Sequence, residues 1–381
     1  MTLEEYRVSA ENVIYLAACM VNGVKPNAKR VAGMNLEQLY TAADRHLLTG
    51  ITAYALENAG IHDPAFIQAQ NKAIRKVALF DSERKDVLDE LEKAGIWYMP
   101  LKGCVLKEKY PQIGMRQMAD NDILYDVLRS EDVRKIMESL GFTTVLYVRD
   151  NGYSHDVYKK EPVCNFEMHR ALFPPGVDDA IFAYYRNIRQ KMVKDEGNDY
   201  GYHLSPEDFY LYMTAHEYKH YSNGGTGLRS LLDTYVYLHS TKLNMAYVAA
   251  EAEKIGIAAF EEANRTLAQH LFSGEELTAE DLEMLDYILS SGTYGSIVHR
   301  VKNTMKKKHW TKAQYALGRF FVPVSRKNPD YDAYANVYPF FYKHILLLPL
   351  LPFYRTFRAI KAGKFRAEAK AIWQAKDKAG I

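Results

Sequence analysis

The chain has 381 residues, a formal net charge of +2, 48% hydrophobic residues and 25% charged residues. These are the proportions of ordinary globular proteins and exclude disordered, collagen-like and disulfide-scaffold classes, while the length predicts two or three packed units. The small net charge hides an asymmetry: from Arg300 to Ile381, 18 Lys and Arg oppose 4 Asp and Glu, whereas the preceding residues carry 31 against 43. An acidic body is joined to a basic end.

Cys19, Cys104 and Cys164 are isolated and odd in number, which suits a reducing compartment and excludes a cysteine-built zinc site. The start, Met1-Thr2-Leu3-Glu4-Glu5, has neither a basic region nor an apolar run, so a cytoplasmic location is expected. The most apolar stretch, Ile345 to Phe353, contains Pro349 and Pro352 and is too short to span a bilayer.

Residues 1–92 read as a helical lobe. Val13, Leu16, Ala17 and Met20 recur at helical spacing, Asn35 caps a second helix, and Ile74, Val77, Ala78, Val87, Leu88 and Leu91 continue the pattern. Residues 93–200 change period. Ile96 to Leu101 reads as a strand that turns at Lys102-Gly103 into a helix through Val105, Leu106 and Tyr110. Strands are predicted at Asn121 to Val127, Thr143 to Val148 and Val163 to His169, with a helix from Glu131 to Ser139. This is a small mixed α+β sheet whose connections are too short for a doubly wound dinucleotide fold.

Ser205-Pro206-Glu207-Asp208 is a strong helix start. Helices follow to about Leu238, over Met245 to Gly256, Ala258 to Phe272 and Ala279 to Ser290, giving a helical domain over 201–299 and a basic helical segment over 300–381.

Asp120 and Asp122 lie two apart on a predicted strand and therefore share a face. Two carboxylates so placed repel each other unless a cation lies between them, and Mg²⁺ or Mn²⁺ is the usual one. Glu167 sits between Phe166 and Met168 on another predicted strand, where an acid needs a partner. His169 follows on the same face. Gly103 opens a strand-to-helix turn suited to an anion, and Lys102 and Arg116 supply positive charge nearby. Three acids, a glycine turn and two cations are the apparatus of metal-dependent phosphoryl or nucleotidyl transfer.

Pro100-Leu101-Lys102-Gly103, Tyr110-Pro111, Gly114-Met115-Arg116 and Asp120-Asn121-Asp122-Ile123-Leu124 together resemble an uncharacterised bacterial nucleotidyltransferase family within the polymerase-beta-like superfamily. The resemblance extends to His216 through His220, to Leu231-Leu232-Asp233, and to Tyr338-Pro339 and Leu347-Leu348-Pro349. It implies an α+β core flanked by N-terminal and C-terminal helical lobes. It further implies in-line attack of an acceptor hydroxyl on the α-phosphate of a nucleoside triphosphate (NTP). Asp120, Asp122 and Glu167 would hold metal, with Glu167 an alternative base, and Lys102, Gly103, Cys104 and Arg116 would contact phosphate. His169, His216, His220 and Asp233 are candidates for acceptor contact or for supporting the acids. The acceptor class stays open: protein, sugar, small molecule or RNA. Two positions depart from the pattern. Cys104 stands where many members have Ser, and Asn121 stands where an apolar residue usually packs.

Competing readings remain. His216-Glu217-Tyr218-Lys219-His220 matches the helical zinc-peptidase motif, with Asp233 a candidate third ligand. A catalytically silent binding or scaffold relative would keep the acids for structure. The basic segment, with Arg355, Arg358, Lys361 and Arg366 near Phe357 and Ile360, suits an anionic lipid surface or a nucleic acid, or else packs on the acidic body.

Overall fold

A computed structural model describes residues 1–147, 155–175, 178–318, 321–325, 328 and 331–374. The architecture is α+β, with a five-stranded mixed sheet flanked by helices on both sides in sequence. Helices α1 (Leu3–Val21), α2 (Ala28–Ala32), α3 (Leu36–Arg45), α4 (Thr49–Asn58) and α5 (Pro64–Lys93) precede the sheet. Asn35 caps α3 by accepting from the Gln38 amide, and Asp63 with Pro64 opens the 30-residue α5.

The strands are β1 (Tyr98–Pro100), β2 (Asn121–Tyr125), β3 (Thr143–Leu146), β4 (His155–Lys160) and β5 (Cys164–His169), in the order β1-β2-β5-β4-β3. Only β2 and β5 are parallel, in a register that sets Asp122 opposite Glu167 and Leu124 opposite His169. The predicted strand after Asn121 is two residues shorter, and Val148, the predicted end of the third strand, lies outside the described residues. Strand β4 escapes a hydrophobic scan because its buried positions are Asp156 and Tyr158 rather than aliphatic residues. Asp156 accepts from the Tyr125 hydroxyl at 2.8 Å and from Arg170 at 3.0 Å, so burying it leaves the charge paired.

Alternation gives the sheet two chemically distinct faces. Ile123, Tyr125, Phe166 and Met168 pack against α5 and α7 (Ser130–Ser139; α6 is the short turn described below). Asp122, Leu124, Glu167 and His169 point the other way, as a two-residue period requires. On that side lie α8 (Asp179–Tyr185), α9 (Pro206–Asn223) and α11 (Met245–Ile255), whose apolar residues form a core with Met99, Leu101 and Leu124.

Helices α9 and α10 (Leu228–Ser240) are separate, broken where Gly224 and Gly225 intervene, so the helical run toward Leu238 is two helices. The N-terminal helices do not stand alone: α1, α3 and α4 share one hydrophobic core with α10, α12 (Ala258–Ser273) and α13 (Ala279–Ser291). The basic segment continues as α14 (Ile297–Lys308), α15 (Lys312–Gly318), α16 (Tyr331–Val337), α17 (Pro339–Lys343), α18 (Leu351–Lys361) and α19 (Lys364–Gln374). Among the described residues no helix is long and apolar enough to cross a membrane.

A buried ion pair ties the loop before β2 to the helical layer. Arg116 donates from Nε and Nη2 to the two carboxylate oxygens of Asp233 on α10, each at 2.8 Å, and the Tyr110 hydroxyl donates to the same carboxylate at 2.7 Å. Fork-to-fork geometry is what makes such a pair worth burying. Removing one partner strands a charge, at roughly 3–5 kcal/mol, whereas replacing both by apolar groups is often close to neutral. Asp233→Leu is therefore expected to lower the thermal midpoint sharply, and Arg116→Met combined with Asp233→Leu to recover at least half of the loss. Additive losses in that double-mutant cycle would show that the pair is not the tie.

Candidate functional site

The site is built outward from the turn after β1. The Leu101 amide donates to the Asp122 carbonyl at 2.9 Å, continuing the β1–β2 ladder by one bond. Lys102 then takes φ +45° and ψ −116°, a conformation that ordinarily requires glycine. A side chain held there costs about 1–3 kcal/mol. In return its Nζ lies 2.6 Å from Asp122 Oδ1.

Gly103 follows because nothing larger fits: a Cβ would lie 2.6 Å from Arg116 Nη1 and 3.0 Å from Met118 Sδ. Arg116 cannot yield, since Asp233 holds it. The helix after this turn, α6 (Gly103–Leu106), is a single turn, and Tyr110 is already extended where helix was predicted. Cys104 points beneath β2, its Sγ 3.4 Å from Asn121 Oδ1 and 3.7 Å from the Asp122 carbonyl, and burial pushes its thiol up to about 11. Asn121 faces α5, where Arg84 donates to its Oδ1 at 2.9 Å and its Nδ2 donates to the Phe80 carbonyl at 3.3 Å. The polar residue at this position is thus bonded through both its oxygen and its nitrogen.

Asp120, Asp122 and Glu167 bring carboxylate oxygens within 4.8 Å of one another. Their environments differ. Asp122 is buried, which opposes ionisation, but Lys102 and His169 outweigh this and hold its carboxyl well below the usual range. His169 Nε2 lies 2.7 Å from the same Oδ1. With Asp122 ionised, that nitrogen is the donor, leaving His169 Nδ1 bare, and this buried atom has no partner among the described residues.

Burial and the neighbouring Asp122 charge push Asp120 up to about 6, and burial with Asp122 and Asp120 pushes Glu167 up to about 7. Two acids pushed toward protonation thus stand beside one already held by a cation, Lys102, and by a neutral donor, His169. The donor set is hard, oxygen-based and mutually repelling, the chemistry that suits Mg²⁺ or Mn²⁺. His155, Glu167 and His169 form a second group whose candidate ligand atoms also lie within 4.8 Å.

Helix α9 supplies the opposite wall. Tyr212, His216, Lys219 and His220 recur one turn apart and share a face. His216 and His220 approach Nε2 to Nε2 at 3.4 Å. Burial and the charges of Lys102 and Lys219 keep His216 well below its ordinary range, so its ring is neutral at pH 7. Burial, aided by Lys102, lowers Lys219 to about 8 despite the attraction of Asp122 and Glu167. Glu217 turns the other way, into the interior, where Asn264 donates to it at 3.2 Å and burial holds it protonated with a pKa of about 8. A zinc peptidase needs this glutamate beside its two histidines. In the fold, the imidazoles and Glu217 occupy different faces of α9.

The three acids, Lys102 and His169 therefore converge, and His216 and His220 face them from α9. Arg116 and Asp233 bond each other behind Gly103, and Cys104 lies under the sheet. Sequence reasoning missed His155, which β4 sets opposite His169, and Tyr212 and Lys219. His155 was hidden with its strand. Lys219 carried a usable signal: it lies three residues after His216, on the same helical face.

A cleft of about 1110 Å³ continues from Lys219 and His220 along α9, bounded by Met284 and Tyr287 of α13 and by Asn303 and Lys306 of α14. No curated protein and no solved structure gives a significant match to the chain. A family described as uncharacterised nucleotidyltransferase does match, over residues 32–273, a span that holds the turn, the three acids, both histidine strands and the α9 wall. More than half of the chain is matched and the matched part carries the acids, the Lys102 turn and the α9 wall, so the protein belongs to the uncharacterised nucleotidyltransferase family.

Proposed function

We propose that the protein transfers a nucleoside monophosphate from an NTP to an acceptor hydroxyl, using Mg²⁺ or Mn²⁺. The observation that supports this reading best is the three-acid cluster, in which Asp122 is already ionised and oriented while Asp120 and Glu167 are held above their ordinary pKa by burial and by the neighbouring carboxylates. A divalent cation held by these carboxylates would neutralise phosphate charge and orient the α-phosphate.

The chain's own residues do the rest. Lys102 and His169 fix Asp122 from two sides. Lys219 faces the acids from α9, and its pKa, lowered to about 8 by burial, would rise again when an anionic triphosphate arrives, which makes it the phosphate contact of this reading. Arg116 acts at one remove: bound to Asp233, it keeps Gly103 and the Lys102 turn in place. Glu167, the alternative base, takes the proton of the acceptor hydroxyl on its carboxylate as the hydroxyl oxygen bonds to the α-phosphorus and the bond to pyrophosphate breaks. The cleft along α9, α13 and α14 receives the acceptor.

The direct test is thermal stabilisation by each triphosphate with and without Mn²⁺ or Mg²⁺. Stabilisation that needs both components is expected, and its loss in Asp120→Ala/Asp122→Ala follows. Identical midpoints throughout would favour a binding or scaffold protein instead.

Two further outcomes follow from the electrostatics. Because burial and the Asp122 charge force Asp120 toward protonation, Asp120→Asn relieves both costs: in chelator at pH 8 it is expected to gain about 1–3 kcal/mol of stability while losing stabilisation by Mn²⁺. A midpoint below that of the parent protein would contradict the repulsion.

The pH dependence has a definite sign. Between the ordinary carboxylate range and about pH 7 the folded chain binds more protons at Asp120 and Glu167 than the unfolded chain. Without a cation these two groups therefore favour folding less as pH rises. A cation must displace those protons, so Mn²⁺ affinity measured by calorimetry should rise steeply from pH 5 to pH 7 and level off above about pH 8. A flat profile would mean that the two acids are not its ligands.

A further inference from the structure

Helix α18 is amphipathic in the reverse of the usual sense. Leu351 at its start is fully buried, and Leu348 just before it is buried too, so the helix is docked on the protein by one side. A docked helix ordinarily turns polar residues outward. Here Phe353, Phe357 and Ile360, spaced to share one face, are 66%, 64% and 57% exposed. Leu350 extends the stripe by one turn at 55%, and Leu346, in the preceding 3-10 turn, is 94% exposed. Arg358 and Lys361, both exposed, lie along one edge of that stripe. The flanking sequence is basic throughout, 18 Lys and Arg against 4 acids from Arg300 onward. Contiguous apolar surface of this kind on a soluble chain marks a contact site.

We infer that the Leu346 to Lys361 face docks on an anionic lipid bilayer, with the apolar stripe entering the headgroup region and Arg358 and Lys361 meeting anionic headgroups. The composition separates this occupant from others. Leu346, Leu350 and Ile360 have no π face on which a base can stack, so single-stranded nucleic acid would leave much of the stripe wet. A contact between two copies through this face would bring two strongly basic segments together, each with 18 Lys and Arg against 4 acids, and their mutual repulsion opposes it. An anionic membrane satisfies both the apolar stripe and its basic edge. The face belongs to α18, outside the span matched to the family and apart from the carboxylate site.

Flotation of the full chain with vesicles tests this. Binding is expected to phosphatidylcholine vesicles containing about 30% phosphatidylglycerol and not to phosphatidylcholine alone, falling as salt rises. Phe353→Glu/Phe357→Glu should abolish flotation while leaving the thermal midpoint unchanged, since both side chains are mostly exposed. Arg358→Glu/Lys361→Glu should weaken it by about fivefold or more for each basic residue lost. Absence of flotation with anionic vesicles, or flotation indifferent to both variants, overturns the inference. So does a dimer in gel filtration that Phe353→Glu/Phe357→Glu dissolves without any lipid binding by the parent protein, which would make the stripe a contact between copies.

Discussion

The buried pairing of Arg116 with Asp233 holds the rest of the site in order. Asp233 comes from α10, whose inner face is committed to the core shared with α1, α3, α4, α12 and α13, so its carboxylate is a fixed point. Arg116 is held to it at both ends of its fork, and the guanidinium leaves no room for a side chain at residue 103. The chain must therefore pass Gly103 closely, and Lys102 absorbs the change of direction at positive φ. Its ammonium then lands on Asp122. Four residues that look like separate motifs in the sequence form one line of force, from the helical layer to the carboxylates.

Along that line the protein spends stability on preorganisation. Lys102 is strained, Asp120 and Glu167 are crowded beside an ionised Asp122, and the imidazoles of His155, His169 and His216 are held neutral by burial and neighbouring positive charge. None of this improves packing. Strain, repulsion and desolvation coincide on one face of the sheet, while the opposite face packs an apolar core under α5 and α7 whose buried polar residues, Asn121 and Asp156, are bonded by Arg84, Tyr125 and Arg170. That division of labour is what a rigid site demands, because a ligand can only exploit charges whose positions it does not have to organise.

The acidic body and basic end also separate. The negative excess includes acids placed together at the carboxylate site, and the positive excess gathers beyond α13, on helices that carry apolar residues on their outer side. The cleft along α9 is bounded in part by α14, the first helix of the basic segment. The acidic body and the basic segment thus both contribute to the lining of that cleft.

Much of the fold could be read directly. Helix caps at Asn35 and Ser205, the apolar strands at Tyr98, Asn121 and Cys164, and the change of period near Gly95 are local signals that local geometry obeys. The acid pair and Glu167 were legible because a two-residue period fixes which side chains share a face. Strand β4 was not, since it buries Asp156 and Tyr158 and is stabilised by partners, Tyr125 and Arg170, that only folding brings near. His155 went unseen with it. The packing of Gly103, Cys104 and Arg116 likewise escaped, because a glycine beside a lysine does not show along the chain that a guanidinium lies against it.

The sequence by itself therefore determined the elements, the acids and the charge asymmetry, all of which depend on spacing and composition. The tertiary structure decided which charges meet: Arg116 with Asp233 rather than with the acids, Lys102 and His169 with Asp122, Lys219 facing the site and Glu217 facing away from it. Electrostatic pairing depends on distance in space, and no periodicity along the chain encodes it.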